Sequence, residues 1–213
     1  MIIVNHRTNS IESISNTPTQ FGCEIDVRNH GDDLIVVHDP FIQDGPKLQD
    51  CLKYYKHKFL IVNVKEEGLA IRVFQLLKDF SIRNFFILDE SVPFIVKHAK
   101  AGQSEFAFRV SEFENYRNAI NLQRTLKKIN ASFAWVWVDT FTGEVLSADA
   151  TRQLQAEQLR CCFVSPELHR IDSPEKWKSL IEDFFLGFKE KGISPNMICT
   201  KEPVFWQSLY SQN

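Results

Sequence analysis

The chain has 213 residues, 44% of them hydrophobic and 24% charged, which suits one globular domain with one sizeable core. A formal net charge of −2 gives no general electrostatic case for nucleic acid or for an anionic membrane surface. No apolar run approaches the ~20 residues that span a bilayer, so no transmembrane segment is expected.

The opening MIIVNHRTNS carries no secretory pattern, because its apolar run is short and no basic stretch precedes it. The expected location is cytoplasmic. The five cysteines, Cys23, Cys51, Cys161, Cys162 and Cys199, form no C-x-x-C pair, and four lie in or beside apolar runs. They read as small buried residues in a reducing compartment.

In chain order, Ile2-Ile3-Val4 predicts a strand over residues 2–5, with His6 and Arg7 directly behind it. A second strand is predicted over 22–27, where Glu24 and Asp26 alternate with Cys23, Ile25 and Val27. Gly31, Asp32 and Asp33 read as a tight turn into a strand over 34–38, a hairpin that ends on His38 and Asp39. Further strands are predicted over 59–64, 84–88, 105–109, 133–138, 161–164 and 196–199. Between them, helical patterns cover 68–80, 92–101, 112–129 and 148–159. Ser173 before Pro174 reads as an N-cap with proline at the first helical position, opening a helix to about residue 189. A last helix is predicted over 203–210.

Most of these strands are continuously apolar, as a sheet covered on both faces requires. About eight βα units in such a chain fit a small TIM (β/α)8 barrel over residues 1–213, an α/β fold. A doubly wound open sheet is the alternative, since pattern does not reveal closure.

Polar residues follow nearly every predicted strand: Lys65, Asp89, Arg109, Asp139, the set Ser165, Glu167 and His169, and Lys201. In a parallel barrel all strand C-termini open on one face, and sites are built there. Any wet loop also begins with polar residues, but that explains the gathered histidines, arginines and acids less well.

Glu24 and Asp26 stand at i and i+2 of a strand, so both side chains point to one face. Two carboxylates that close repel, and burying both ionised is costly. A hard divalent cation, Mg2+ or Ca2+, resolves the conflict. Two histidines at neighbouring strand ends suit proton transfer, and Arg7 with Lys65 suits a phosphate. The residues alone thus point to a metal-assisted phosphodiester site, in which one histidine takes a proton from the attacking hydroxyl and the other protonates the leaving oxygen. A plain solvated strand edge competes with that reading.

Trp135 and Trp137 read as core or barrel wall. His30, His57 and His98 read as surface residues. Ser165 to His169 reads equally as a pocket wall or a structured turn, and no G-x-S-x-G elbow makes Ser165 and His169 a nucleophile pair. Aromatic helices around Trp177, Phe184, Phe185, Phe188, Phe205 and Trp206 suit either a barrel wall or a subunit interface, so the oligomeric state stays open.

His6-Arg7, Glu24-Ile25-Asp26-Val27 and His38-Asp39 behind Leu34-Ile35-Val36-Val37 together resemble the glycerophosphodiester phosphodiesterase family of the phospholipase-C-like barrels. Asn63-Val64-Lys65 aligns with that family's Glu-x-Lys strand. The resemblance covers about the first third of the chain. It implies a metal-dependent phosphodiester hydrolase of lipid metabolism acting on a small glycerophosphodiester-like substrate. It implies Glu24 and Asp26 as metal ligands, with Asn63 at the third ligand position, His6 and His38 as the acid/base pair, and Arg7 and Lys65 on the phosphate.

Three departures stand out. Thr8 occupies a position where the family usually has glycine. The family's small insertion is absent, only Pro40 to Lys58 filling that gap. Asn63 offers a carbonyl oxygen but no charge, which lowers the expected metal affinity. Asp89 is the candidate substitute ligand, and more distantly Glu167, although Asp89 also suits a helix cap. These departures motivate an alternative, a catalytically impaired barrel that binds phosphate esters or regulates.

Overall fold

The structure, a computed structural model, describes residues 1–42, 44–169 and 174–211. Nine strands are present: β1 (Ile2–Asn5), β2 (Gly22–His30), β3 (Asp33–Val36), β4 (Leu60–Val64), β5 (Phe85–Leu88), β6 (Ala107–Val110), β7 (Trp135–Val138), β8 (Arg160–Val164) and β9 (Met197–Thr200). Between and after them run α1 (Ile11–Asn16), α2 (Leu48–Leu52), α3 (Ala70–Asp79), α4 (Val92–Lys100), α5 (Tyr116–Lys127), α6 (Ala148–Ala156), α7 (Pro174–Glu190) and α8 (Pro203–Ser211). The expected cap at Ser173 lies outside the described residues.

All strands except β3 are parallel and neighbour one another in the order β5-β4-β2-β1-β9-β8-β7-β6. The ends of that order meet through a single bridge between Ile87 and Phe106, where the Ile87 amide donates to the Glu105 carbonyl at 2.8 Å. The eight parallel strands therefore make a nearly closed barrel rather than an open sheet. β3 pairs antiparallel with β2 outside it, Val27 opposite Val36, and Gly31 makes the turn at φ +57°.

Alternation along the strands divides the apolar residues into two cores. Outward residues such as Ile25, Val62, Ile87, Val136 and Phe163 pack under the helices. Inward residues, among them Val4, Ile61, Leu88, Trp137, Cys162 and Cys199, fill the barrel. Its lower end is plugged by Phe59, Phe86 and Trp135, whose ring centroids lie 5.3 to 5.7 Å apart, with the Arg160 guanidinium 4.2 Å over Trp135. Both tryptophans of β7 are thus interior, and all five cysteines are buried free thiols.

Some expectations need correcting. His98 is not on the surface: it is 6% exposed and stacks on Phe106 at 5.5 Å. The short helices α1 and α2 were not anticipated. Ser10 caps α1 by a reciprocal exchange with Ser13, which replaces the usual Glu or Gln. α2 lies within the Pro40 to Lys58 segment. No helix of the described residues is long and apolar enough to cross a membrane.

Candidate active site

The inward face of β2 carries Gly22, Glu24 and Asp26, so an apolar strand delivers two carboxylates to the upper barrel. Both are buried. β4 lies beside β2 with Asp26 opposite Asn63, placing the Asn63 amide next to the pair. His6 and Arg7 follow β1, Lys65 follows β4, and His38 follows β3. The seven residues singled out in the sequence stand at the C-terminal mouth.

Their contacts are specific. The Arg7 amide donates to Glu24 Oε2 at 2.7 Å, and His6 Nε2 lies 3.8 Å from the same oxygen. Arg7 holds φ +54°, a left-handed conformation that L residues seldom adopt. The turn thus falls on Arg7 rather than on Thr8. Thr8 is buried, and its amide and hydroxyl both donate to the Glu24 carbonyl, at 2.7 and 2.9 Å. Asp26 accepts from Asn9 Nδ2 at 2.7 Å and from Lys65 Nζ at 3.0 Å, while Arg7 Nε lies 4.0 Å away.

Arg7 Nη2 is 2.7 Å from His38 Nε2, and His38 Nδ1 is 2.8 Å from Asp39 Oδ1. A guanidinium only donates, so Nε2 accepts and Nδ1 carries the hydrogen given to Asp39. Arg28 fixes this corner by donating twice to the His38 carbonyl, at 3.0 and 3.1 Å.

Burial sets the protonation states. Desolvation, helped by the nearby Arg7 charge, lowers His6 to about 3. Glu24 is pushed well up, first by burial and then by the neighbouring Asp26 carboxylate. Glu24 Oε1, Asn63 Oδ1 and His6 Nδ1 are buried and lack hydrogen-bond partners among the described residues.

Two unpartnered oxygens on adjacent strands fit a hard cation, which takes carboxylate and amide oxygen. Asp26 joins them only by releasing Lys65. Among the described residues no three histidine, cysteine or acidic side chains are gathered to hold an ion, so a cation at this point would have to take two acids and the Asn63 amide as its donors. Asp89 does not cap α4, whose N-cap is Ser91. It accepts from Arg109 Nη2 at 2.6 Å and lies 3.8 Å from Lys65 Nζ. Glu167 accepts from Thr200 Oγ1 at 2.6 Å and from the Lys201 amide at 3.1 Å.

The far side of the mouth holds a cluster to which sequence reasoning gave no role. Asp139, buried at the end of β7, accepts from Trp137 Nε1 at 3.0 Å and from Arg109 Nη1, and His169 Nε2 stands 2.7 Å from its Oδ1. Its signal was positional, since Arg109, Asp139 and His169 each follow an apolar run. The segment Pro166–Leu168 is a 3-10 turn, so this stretch is both a structured turn and, through His169, a wall of the mouth. Acids and bases alternate along the rim as Asp26, Lys65, Asp89, Arg109, Asp139 and His169.

Above this cluster, the Glu112 carboxylate ties two loops together by accepting from the Phe141 and Thr142 amides and the Thr142 hydroxyl, at 2.7 to 3.1 Å. The exposed rings of Phe113 and Phe141 lie 5.6 Å apart, and Phe141 packs 4.5 Å from His169.

No family model matches the sequence, and no curated protein matches it. Solved structures do resemble the fold, among them two described as glycerophosphoryl diester phosphodiesterases. One, from Agrobacterium tumefaciens and assigned as a glycerophosphoryl diester phosphodiesterase, superposes with a TM-score of 0.70 at 13% identity over 100% of this chain and 98% of its own. The other, a glycerophosphoryl diester phosphodiesterase from Parabacteroides distasonis, gives 0.68 at 14% identity, over 99% of this chain and 86% of its own. At such identities the likeness is one of fold, a whole-chain match to barrels of that description.

Proposed function

We propose that the chain is a phosphodiester hydrolase acting on glycerophosphodiester-like substrates. The observation that carries this reading is the meeting of His6, Arg7, Glu24, Asp26, His38, Asn63 and Lys65 at one barrel mouth, with both imidazoles beside Arg7 or the buried acids. The description of the two similar barrels agrees with it.

Arg7 and Lys65 present donors to a phosphate, and Asp39 orients His38. His6 and His38 form the acid/base pair that moves protons on and off the reacting oxygens. Glu24, Asp26 and Asn63 are the residues to hold Mg2+ or Ca2+. A bound cation supplies charge neutralisation at a phosphate oxygen.

The test is hydrolysis of glycerophosphodiesters with Mg2+, Mn2+ or Ca2+ present. His6→Ala and His38→Ala are each expected to lower kcat by roughly 10²-fold or more. Full activity in either variant refutes the pair. A second reading, a barrel that binds phosphate esters without turnover, is favoured by the uncharged Asn63 and by the Lys65 hold on Asp26. It predicts a thermal shift with a phosphodiester but no hydrolysis at any metal concentration.

A further inference from the structure

A cavity of about 630 Å³ opens between α3 and α4, at the end of the barrel away from the mouth. Its walls come from those two helices and from the residues that lead into β5 and β6. That is the seam where the barrel closes through the single bridge of Ile87 and Phe106. Phe74, Ile82 and Phe85 supply apolar wall, the rings of Phe74 and Phe85 standing 5.8 Å apart. Cavities of this size take small organic ligands.

One polar group in the wall is not accounted for by packing. His98 is 6% exposed and stacks on Phe106 at 5.5 Å, with Phe74 and Phe94 at 6.1 and 6.3 Å. Its Nε2 is buried without a hydrogen-bond partner among the described residues. A phenyl ring would fill the same aromatic nest and strand no nitrogen, so the imidazole is a cost to the fold as it stands. Burial, with the Lys97 charge beside it, lowers the His98 pKa and keeps the ring neutral. On the rim, Lys78 and Arg83 are exposed, and neither forms an ion pair among the described residues. Glu105, the acid of this wall, is turned to its neighbour and accepts from the Ser104 amide at 2.9 Å. The rim therefore presents two cations to one aromatic cavity.

We propose that the cavity between α3 and α4 is a binding site for a small hydroxyaryl carboxylate, separate from the barrel mouth. The aromatic ring of the ligand lies against Phe74, Ile82 and Phe85, and its carboxylate faces Lys78 and Arg83. Its hydroxyl pairs with His98 Nε2. A hydroxyl both donates and accepts, so it satisfies that nitrogen in either tautomer, whereas a second charge would be desolvated there without a counter-charge. An occupant spans the segments that lead into β5 and β6, and so braces the weakest joint of the barrel. The site goes beyond the phosphodiesterase reading and does not depend on it.

The test is calorimetric titration and thermal melting of the full chain with p-hydroxyphenylacetate. The controls are phenylacetate, which lacks the hydroxyl, and tyrosol, which lacks the charge. The expected result is saturable one-to-one binding of p-hydroxyphenylacetate at millimolar concentration or below, with a raised Tm, and roughly 5- to 10-fold weaker binding of each control. His98→Phe keeps the ring stack and removes the unpaired nitrogen. Without probe it is expected to melt at or above the unmodified protein, yet to bind p-hydroxyphenylacetate no better than phenylacetate. Lys78→Glu combined with Arg83→Glu, both on the exposed rim, is expected to fold as before and to bind the two carboxylates no better than tyrosol. Absence of saturable binding to the unmodified protein, or binding that both variants leave unchanged, overturns the site. A dimer that Ile71→Glu disperses also overturns it, because Ile71 is 67% exposed at the cavity and a second copy then covers it. None of these readouts involves hydrolysis, so the phosphodiesterase reading stands or falls separately.

Discussion

Replacing Asn63 by aspartate tests the cation site without reference to catalysis. The change is isosteric, and it puts a charge where an uncharged, buried amide oxygen now has no partner. At an effective dielectric of about 20, a unit charge ~4 Å from one charge of a cation gains about 4 kcal/mol. The new carboxylate also sits beside Glu24 and opposite Asp26, and repulsion of the same order cancels more than half of that gain. A net gain of about 1–2 kcal/mol remains, a factor of roughly 5–30 in cation affinity. Without metal the same repulsion has no compensation, so Asn63→Asp is expected to melt below the unmodified protein. With millimolar Mg2+ or Ca2+ its Tm is expected to recover by several degrees more than that of the unmodified protein. Thermal melts across a metal titration supply the measurement. If Asn63→Asp gains no more from metal than the unmodified protein does, Glu24, Asp26 and residue 63 do not share an ion.

Two further predictions concern the scaffold. Partial burial raises Glu112, but hydrogen bonds from the Thr142 hydroxyl, Thr142 and Phe141 outweigh it and hold the carboxyl at about 2. A folded value below the ordinary one means that its contribution is present above about pH 4.5 and is lost as pH falls toward 2. Because this side chain is exposed and screened, Glu112→Gln should cost only about 1 kcal/mol at pH 7 and nothing near pH 2, as read from urea unfolding at several pH values. Gln123 is buried on α5. Its amide donates to the Phe133 and Glu157 carbonyls and accepts from the Phe133 amide, at 3.1 to 3.3 Å. Gln123→Ala strands these buried groups and should cost about 2–3 kcal/mol, seen as a lower urea midpoint with an unchanged slope.

The strands were legible because parallel strands buried on both faces leave unbroken apolar runs, and every one of the nine appears within about three residues of its expected bounds. The longer helices α3, α4, α5, α6 and α8 followed from their helical patterns, and α7 from proline at its first position. α1 and α2, at six and five residues, are too short to show a period, and the Ser10 and Ser13 pair that caps α1 departs from the usual capping residues. Polar strand ends marked the rim, but spacing does not report partners. Asp89 illustrates this: next to Ser91 and Pro93 it suits a helix start, yet at φ +67° it turns to Arg109 and Lys65. His98 went astray because helix α4 is short and charged at its end, and the ring that buries it, Phe106, lies on a neighbouring unit.

The aromatic plug of Phe59, Phe86 and Trp135 makes the barrel a cul-de-sac. A ligand held at the charged rim has no second way through, so under the phosphodiester reading both products would leave past the same residues, and the slower of the two would hold the site against the next substrate.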